Sequence, residues 1–254
     1  MFAEERIQDI LDTLKKDGKV KVKDLSTKYS VTEDCIRKDL KALEKIVPIK
    51  RIYGGAVLHR ESLAYHSTKQ RLGENIDIKR KIAEKAFDMV NNMETIFLDV
   101  STVNLILAEL LAKSGKKLTI VTNMVDILNL FTNIDHNIQV VSAGGILNST
   151  INGFVGASTI DFLSNYKFDK SFIGTGGIDV PSNCLTIFEI DDGLTKKSVM
   201  ENSREIYVVA ESKKFAFDCA YQFYSLDNID AIITDEKPDS DTIKLLDEYN
   251  ITIV

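Results

Sequence analysis

The sequence predicts an α/β protein in two parts: a small, mainly helical N-terminal domain and a larger domain built on a mostly parallel, Rossmann-like sheet. Three observations predict it. Near the N-terminus, apolar residues recur at helical spacing, and a segment of alternating apolar and polar residues with two adjacent glycines follows. Later in the chain, short apolar stretches are separated by amphipathic segments. The charge also differs, because residues 1–55 carry 13 Lys and Arg against 10 Asp and Glu, and the remainder carries 19 against 28.

The N-terminal domain begins with two predicted helices. The first has apolar residues at i, i+3, i+4 and i+7, namely Ile7, Ile10, Leu11 and Leu14, and Gly18 follows as a natural stop. The second is a short segment in which Val22, Leu25 and Tyr29 can face inward. The tight connection Ser30–Val31 then leads to a third helix.

The third helix is predicted to have an apolar back and a basic front. Thr32 is a suitable N-cap, and the apolar stripe consists of Ile36, Leu40 and Leu43. The following segment "IKRIYGGAV" alternates apolar and polar residues and predicts a small β-wing. Three short helices and a wing predict a winged helix-turn-helix, in which the third helix enters the major groove. The residues expected to contact DNA are Thr32, Arg37, Lys38, Lys41, Lys50 and Arg51. An ordinary solvated basic face is the alternative.

This pattern resembles the N-terminal signature of the DeoR family of bacterial transcriptional regulators. In that family the third helix contains Ile-Arg-Arg/Lys-Asp-Leu and the wing ends in Gly-Gly-Ala, which residues 36–40 and 54–56 match. The chain departs from the family at Lys21, where a Ser or Thr usually caps the second helix. It departs again at Val47 and Pro48, where the family usually has Gly-Leu.

The predicted domain boundaries are residues 1–57, a partly helical connector over 58–75, and a second domain over 76–254. In the second domain seven apolar strands begin near residues 95, 117, 138, 170, 205, 230 and 251. The helices between and after them are predicted over 78–90, 101–115, 123–131, 157–166, 194–203 and 240–249. Continuous apolar strands separated by helices indicate a mostly parallel sheet that is covered on both faces.

Small, polar and basic residues follow the C-terminal ends of these strands, where ligands bind in such sheets. Glycines and hydroxyl residues at these turns allow backbone N–H groups to approach a phosphate, Lys adds a positive charge, and carboxylates and amides suit sugar hydroxyls. The converging loops predict a pocket for a small phosphorylated polyol. Its expected residues are Asp99, Ser101, Thr102, Asn123, Gly144, Gly145, Gly174, Thr175, Gly176, Gly177 and Lys214.

The second domain also resembles the sensor domain of the DeoR family, which has the fold of ribose-5-phosphate isomerase and glucosamine-6-phosphate deaminase. The segments "TIFLDVST", "LTIVTN", "FDKSFIGTGGID" and "ESKKF" stand in the family's order, although the family usually has Gly where Ser101 stands. The resemblance implies a repressor of a sugar catabolic operon. It would bind a double-stranded DNA operator as a homo-oligomer, a dimer or a tetramer, and respond to a phosphorylated sugar or sugar-derived metabolite.

Two alternatives to this sensing regulator remain open. The first is an active sugar-phosphate isomerase or deaminase fused to a DNA-binding domain. The related isomerases place a catalytic acid in the loop that here reads Gly-Thr-Gly-Gly over residues 174–177, and Asp99 and Glu189 do not complete an acid–base pair. No catalytic residue is therefore expected. The second alternative is a DNA-binding protein that has lost sensing.

Other features indicate a cytoplasmic protein without a cofactor. The chain has no apolar run long enough for a membrane span, and its acidic N-terminus differs from a signal peptide. Cys35, Cys184 and Cys219 are far apart and form no CxxC motif, which argues against a disulfide framework or a zinc cluster. No His pattern predicts a metal site.

Overall fold

A computed structural model of the chain describes residues 3–17, 19–44, 49–52, 54–58, 68–133 and 135–254. The chain divides into two compact units, Met1–Ala64 and Tyr65–Val254. Several positions discussed above lie outside the described residues, namely Gly18, Val47, Pro48 and residues 59–67 of the predicted connector.

The first unit contains three helices and a small antiparallel sheet within its described residues. The helices are α1 (Ala3–Asp17), α2 (Val22–Tyr29) and α3 (Glu33–Leu43), and the strands are β1 (Lys19–Lys21), β2 (Ile49–Ile52) and β3 (Gly55–Leu58). The sheet has the order β1-β3-β2, with both pairs antiparallel. The predicted winged helix-turn-helix is confirmed, and β1 is an additional strand that the sequence analysis did not predict.

The ends of α2 and α3 follow from local chemistry. Lys21 precedes α2 without a side-chain cap, as its departure from the family pattern implies. Instead, the N–H of Val22 donates to the carbonyl of Gly54 at 2.8 Å, so the wing turn caps this helix. Ser30 ends α2 in the left-handed region at φ 54°. Thr32 caps α3 as predicted, because its hydroxyl accepts from the N–H of Cys35 at 3.2 Å.

The second unit is built on a seven-stranded parallel sheet with the order β15-β14-β12-β9-β4-β5-β6. Its strands are β4 (Thr95–Leu98), β5 (Thr119–Thr122), β6 (Gln139–Ser142), β9 (Phe168–Gly174), β12 (Ser203–Val209), β14 (Ala231–Ile233) and β15 (Thr252–Ile253). These are the seven predicted strands, and the neighbouring pairs are all parallel. The predicted mostly parallel α/β domain is therefore confirmed.

Helices cover both faces of this sheet. They are α4 (Thr68–Leu72), α5 (Ile76–Asp88), α6 (Thr102–Lys113), α7 (Val125–Thr132), α8 (Ala157–Ser164), α9 (Ile190–Met200) and α10 (Ser240–Glu248). One buried apolar cluster draws on α5, α6 and α7, and a second draws on α8, α9 and α10. Within the described parts of the chain, none of the helices combines the length and apolar character needed to cross a membrane.

Five short strands outside the main sheet were not predicted. They are β7 (Ile146–Asn148), β8 (Gly153–Val155), β10 (Gly177–Asp179), β11 (Cys184–Ile187) and β13 (Tyr221–Ser225). β7 pairs with β8, and β11 lies between β10 and β13, all antiparallel. The predicted helix over 194–203 is wrong at its start, because α9 begins at Ile190. Gly193 has a low helix propensity and therefore weakens the helical pattern in the first turn of α9. A Cβ added at this position would lie 2.8 Å from the ring of Tyr221.

Candidate DNA interface and effector site

The exposed face of α3 is the basic surface of the first unit. Ile36, Asp39, Leu40 and Leu43 are buried, whereas the other face is exposed and bears Arg37, Lys38 and Lys41. Thr32 is also exposed, at the N-terminal end that enters the major groove in this motif. The structure therefore exposes Arg37, Lys38 and Lys41 on the face of α3 opposite its buried residues and exposes Thr32 at the N-terminal end of the helix.

Arg37 is already engaged by two carboxylates of its own helix. Its Nη2 lies 2.6 Å from Oε2 of Glu33, and its Nη1 lies 2.6 Å from Oδ1 of Asp34. The hydrogen bond with Asp34 raises the pKa of Arg37. Because all three side chains are exposed, DNA can displace these pairs at little free-energy cost.

The wing contributes the remaining predicted contacts. Arg51 lies on β2, and its exposed guanidinium donates from Nε to Oε2 of Glu44 at 2.7 Å. Lys50 lies on the same strand, but its side chain is outside the described part of the molecule. The wing and α3 are linked by this pair, since Glu44 is the C-cap of α3.

The predicted effector residues follow five strands that are neighbours in the main sheet. In the order β12, β9, β4, β5 and β6, the strand ends carry Lys214, Gly174, Asp99, Asn123 and Gly144. From β4 the sheet grows in one direction through β5 and β6, and in the other direction through β9, β12, β14 and β15. Asp99 and Gly174 therefore flank the switch point between β4 and β9, where ligands bind in open parallel sheets.

Asp99 is at the centre of this edge. It is fully buried, and its Oδ2 accepts from the N–H of Gly174 at 2.9 Å and from Nζ of Lys196. Ser101 packs against Gly174, where an added Cβ would lie 3.0 Å from the Cβ of Ser101. Ser101 also caps α6, because its hydroxyl accepts from the N–H of Val103 at 3.2 Å. The structure thus brings Asp99, Ser101 and Gly174 together.

Lys196 and Asp192 complete a buried ionic cluster that the sequence analysis missed. Both lie on α9 at i and i+4, with Nζ of Lys196 3.1 Å from Oδ1 of Asp192. Burial alone would lower the pKa of Lys196, but the carboxylates of Asp192 and Asp99 outweigh it and raise that pKa. Burial raises the pKa of Asp192. The i, i+4 Asp–Lys spacing was the available signal, but the predicted helix began after Asp192.

Unpartnered oxygens mark the part of this edge that can receive hydroxyl groups. Asp99 Oδ1, Asn104 Oδ1 and Asn123 Oδ1 are buried and have no hydrogen-bond partner among the described residues. Asn123 is oriented by its own amide, which donates to the carbonyl of Phe154 at 3.0 Å, and Thr102 is buried at the first turn of α6. These acceptors suit donors of a polyol, because buried polar groups otherwise remain unsatisfied.

The loop over residues 174–177, an expected part of the phosphate cradle, has polar groups that are hydrogen-bonded within the protein. The N–H of Gly176 donates to the carbonyl of Thr186 at 3.0 Å, and the hydroxyl of Thr175 donates to the carbonyl of Gly177 at 2.8 Å. The strand β10 follows this loop directly. Gly177 allows close packing, since an added Cβ would lie 2.1 Å from the carbonyl oxygen of Phe217.

Gly144 and Gly145 lie at the end of the edge strand β6 and are exposed. The carbonyl of Gly144 accepts from the hydroxyl of Thr159 at 2.9 Å. Gly145 has φ 145°, and an added Cβ would lie 2.0 Å from that hydroxyl oxygen. This pair therefore allows the chain to pass close to α8 before β7, at the far end of the row of strand ends.

Lys214 supplies a cation at the other end of the row. It lies in a short 3-10 turn, Ser212–Ala216, where its N–H donates to the carbonyl of Glu211 at 2.9 Å. Burial, followed by the neighbouring positive charge of Arg71, lowers the pKa of Lys214 to about 8. A partly buried, positively charged amine next to a second cation suits an anionic ligand.

A winged helix-turn-helix followed by a parallel α/β unit with a polar, cation-bearing edge defines the class of ligand-responsive DNA-binding regulators. Comparisons with known proteins identify the family. A sequence model of the DeoR-like helix-turn-helix domain matches residues 6–62, and one of the DeoR C terminal sensor domain matches residues 74–236. The chain belongs to the DeoR family and is a DNA-binding transcriptional regulator.

Individual relatives agree with this assignment. The chain is 30% identical to the glycerol-3-phosphate regulon repressor of Escherichia coli (strain K12), over 98% of this chain and 97% of that protein. It is 29% identical to the HTH-type transcriptional repressor GlcR of Bacillus subtilis (strain 168), over 100% of this chain and 96% of that protein. These relatives are named as transcriptional repressors, which places the chain with regulators and not with enzymes.

Among solved structures, ribose 5 phosphate isomerase A from Neisseria gonorrhoeae is similar at a TM-score of 0.39. The match covers 54% of this chain and 52% of that chain, with 22% sequence identity.

Proposed function

We propose that this protein represses a sugar catabolic operon in the cytoplasm and that a phosphorylated sugar controls its affinity for the operator. In this proposal residues 1–57 bind DNA, residues 58–75 connect, and residues 76–254 sense the effector. The observation that carries the proposal is the row of five adjacent strand ends. This row combines unpartnered oxygens near Asp99 and Asn123 with the partly buried cation Lys214.

DNA binding is assigned to the exposed face of α3 and to the wing. Thr32, Arg37, Lys38 and Lys41 would contact DNA as α3 enters the major groove, with its N-terminal half meeting the bases, while Lys50 and Arg51 would meet phosphates. Two or more subunits would present paired recognition helices to repeated half-sites. The charge distribution supports this division, because residues 1–55 have a net charge of +3 and the remainder has −9, which repels DNA.

Effector binding is assigned to the row of strand ends. The phosphate would lie towards Lys214 and the N-terminus of α6, and the sugar hydroxyls would donate to Asp99 and Asn123. The effector would change operator affinity only through its different affinity for the DNA-bound and DNA-free arrangements of the subunits. Release of the operator, and hence induction, is the direction that we propose.

A thermal-shift screen tests the effector assignment directly. The panel contains glycerol 3-phosphate, glucose 6-phosphate, fructose 6-phosphate and ribose 5-phosphate, each beside its unphosphorylated parent. Binding to the native state raises Tm by mass action, and we expect a rise only with one or more phosphorylated compounds. A rise in Tm with the unphosphorylated parents alone would contradict a phosphorylated-sugar sensor. The absence of a rise with every compound of the panel would contradict it as well. The effective compound should then weaken binding to an operator selected from a random DNA pool.

A further inference from the structure

The segment over residues 68–75 is hydrogen-bonded at both ends to loops of the effector edge. At its start, Thr68 is fully buried; its N–H donates to the carbonyl of Thr150 at 3.1 Å and its hydroxyl donates to the carbonyl of Ile151 at 2.6 Å. At its end, the amide of Asn75 donates to Oε2 of Glu211 at 2.7 Å. These contacts join the β7–β8 hairpin to the turn that carries Lys214, with the segment between them.

Arg71 lies in the middle of this segment and its position is also defined. Its Nη2 donates to the hydroxyl of Thr68 at 3.2 Å, and its carbonyl accepts from Nζ of Lys79. The helix that contains it, α4, packs against α6, whose N-terminus is capped by Ser101 at the effector edge. Arg71 is only partly exposed, so its guanidinium is not a freely solvated surface charge.

The charge of Arg71 acts on two groups of the effector site. It adds to the lowering of the Lys214 pKa, after the larger effect of burial, and it is a small opposing effect on the pKa of Asp192, which burial raises. The Asn75–Glu211 contact holds this segment beside the turn of Lys214, so two partly buried cations, Arg71 and Lys214, repel each other with weak screening. An anion between them would remove that repulsion.

A phosphate monoester suits this pair better than a carboxylate does. It carries a charge of about −1.5 to −2 at neutral pH and offers three acceptor oxygens. The planar guanidinium can donate two parallel hydrogen bonds to two of those oxygens, while the ammonium group adds a point charge.

We propose that Arg71 is a ligand of the effector's phosphate group and acts together with Lys214. The inference rests on the proposed function and adds a residue that the sequence analysis did not select. Arg71 also lies in the interval between residues 6–62 and 74–236, which the two family domains match. Thr68 and Asn75 are positioning residues in this proposal, because they fix the segment on either side of Arg71.

The test compares the full-length wild type with Arg71→Gln, Arg71→Lys and the control Arg80→Gln. Arg80 is an exposed arginine of α5, so its substitution removes the same charge elsewhere. The probes are inorganic phosphate and the four phosphorylated compounds of the panel, titrated by calorimetry. We expect Arg71→Gln to weaken binding by about tenfold or more. Arg71→Lys should weaken it less, since the charge remains, and Arg80→Gln should have no effect.

Each outcome bears on a separate statement. If the wild type binds a phosphorylated compound and Arg71→Gln binds it equally well, the role of Arg71 is overturned and the proposed function stands. If the wild type binds none of the probes, the proposed function itself fails. Should Arg71→Gln have a lower Tm without ligand, Arg71→Lys decides: a folded variant with reduced affinity supports the ligand role, and one with full affinity rejects it.

Discussion

Arg6 and Asp39 form a buried ion pair that joins α1 to the back of α3. Nε of Arg6 donates to Oδ2 of Asp39 at 2.6 Å and Nη2 donates to Oδ1 at 3.2 Å, with both side chains 8% exposed. The hydrogen bond with Asp39 raises the pKa of Arg6. Asp39 belongs to the motif that resembles the family's third helix, yet it is buried on the side of α3 away from the exposed Arg37, Lys38 and Lys41. The pair therefore fixes α3 against α1.

Removal of this carboxylate should destabilise the first unit. Asp39→Asn leaves the guanidinium of Arg6 buried without its counter-charge, and we expect a loss of about 3 kcal/mol. Hydrogen exchange measures this loss of stability. We expect faster exchange in α1, α2 and α3 and unchanged exchange in the second unit. The control Asp12→Asn changes an exposed carboxylate of α1 and should leave exchange unchanged. Equal exchange in both variants would refute the structural role of Asp39.

Arg37→Ala should weaken operator binding by about tenfold or more, because an arginine on the recognition helix can make a bidentate contact with guanine. Effector binding should stay intact. A gel-shift titration on the selected operator measures the loss, with Arg204→Ala as the control. Arg204 is an exposed arginine of β12 in the second unit. Unchanged operator affinity in Arg37→Ala would mean that Arg37 does not contact the operator and only forms ion pairs with Glu33 and Asp34 within α3.

Lys41→Ala should weaken operator and random DNA to a similar degree, as expected for a phosphate contact. The slope of log affinity against log salt should become shallower by about one. Titrations at several salt concentrations measure both quantities. A loss confined to the operator would instead assign Lys41 to base reading.

Effector affinity should fall as the pH rises through about 8. The pKa of Lys214 in the free protein is lowered to about 8, so its ammonium form, which binds an anion, is depleted above that pH. Binding at pH 7 and pH 9 should differ in the wild type and differ much less in Lys214→Arg, because arginine remains charged. Calorimetry with the effective compound of the panel measures both. An equal pH response in the two proteins would remove Lys214 from the phosphate site.

Lys196→Met should destabilise the second unit by about 3 kcal/mol or more, because it leaves Asp99 and Asp192 buried without their cation. Burial already raises the pKa of Asp192, and that pKa would rise further without the cation; stability that depends on a raised folded-state pKa is lost as the pH rises through it. The destabilisation should therefore be smaller at pH 5 than at pH 8. Thermal unfolding at both pH values measures it, with the exposed neighbour Lys197→Met as the control. An equal loss in the two variants would contradict the buried cluster.

Much of the effector edge could be predicted from the sequence, but its ionic centre could not. Asp99, Asn123 and Lys214 each follow an apolar strand. Because parallel strands bring their C-terminal ends to one edge of the sheet, the sequence could predict that these three residues lie along the same edge. Lys196 and Asp192 were missed because Gly193 weakens the helical pattern at the start of α9. The loop over residues 174–177 was assigned to phosphate binding from its glycines. The structure shows that packing against Phe217 and Cys219 requires two of them.

The sequence by itself determined the winged helix-turn-helix, the seven parallel strands and the basic face of α3. Each depends on local periodicity, capping or an apolar run, and these signals involve residues close together in the chain. Only the tertiary structure decided which polar side chains share a site. The pairs Arg6–Asp39, Lys196–Asp99 and Asn75–Glu211 join residues 33, 97 and 136 positions apart. No periodic pattern spans such distances, because the packing of separate elements sets which side chains meet.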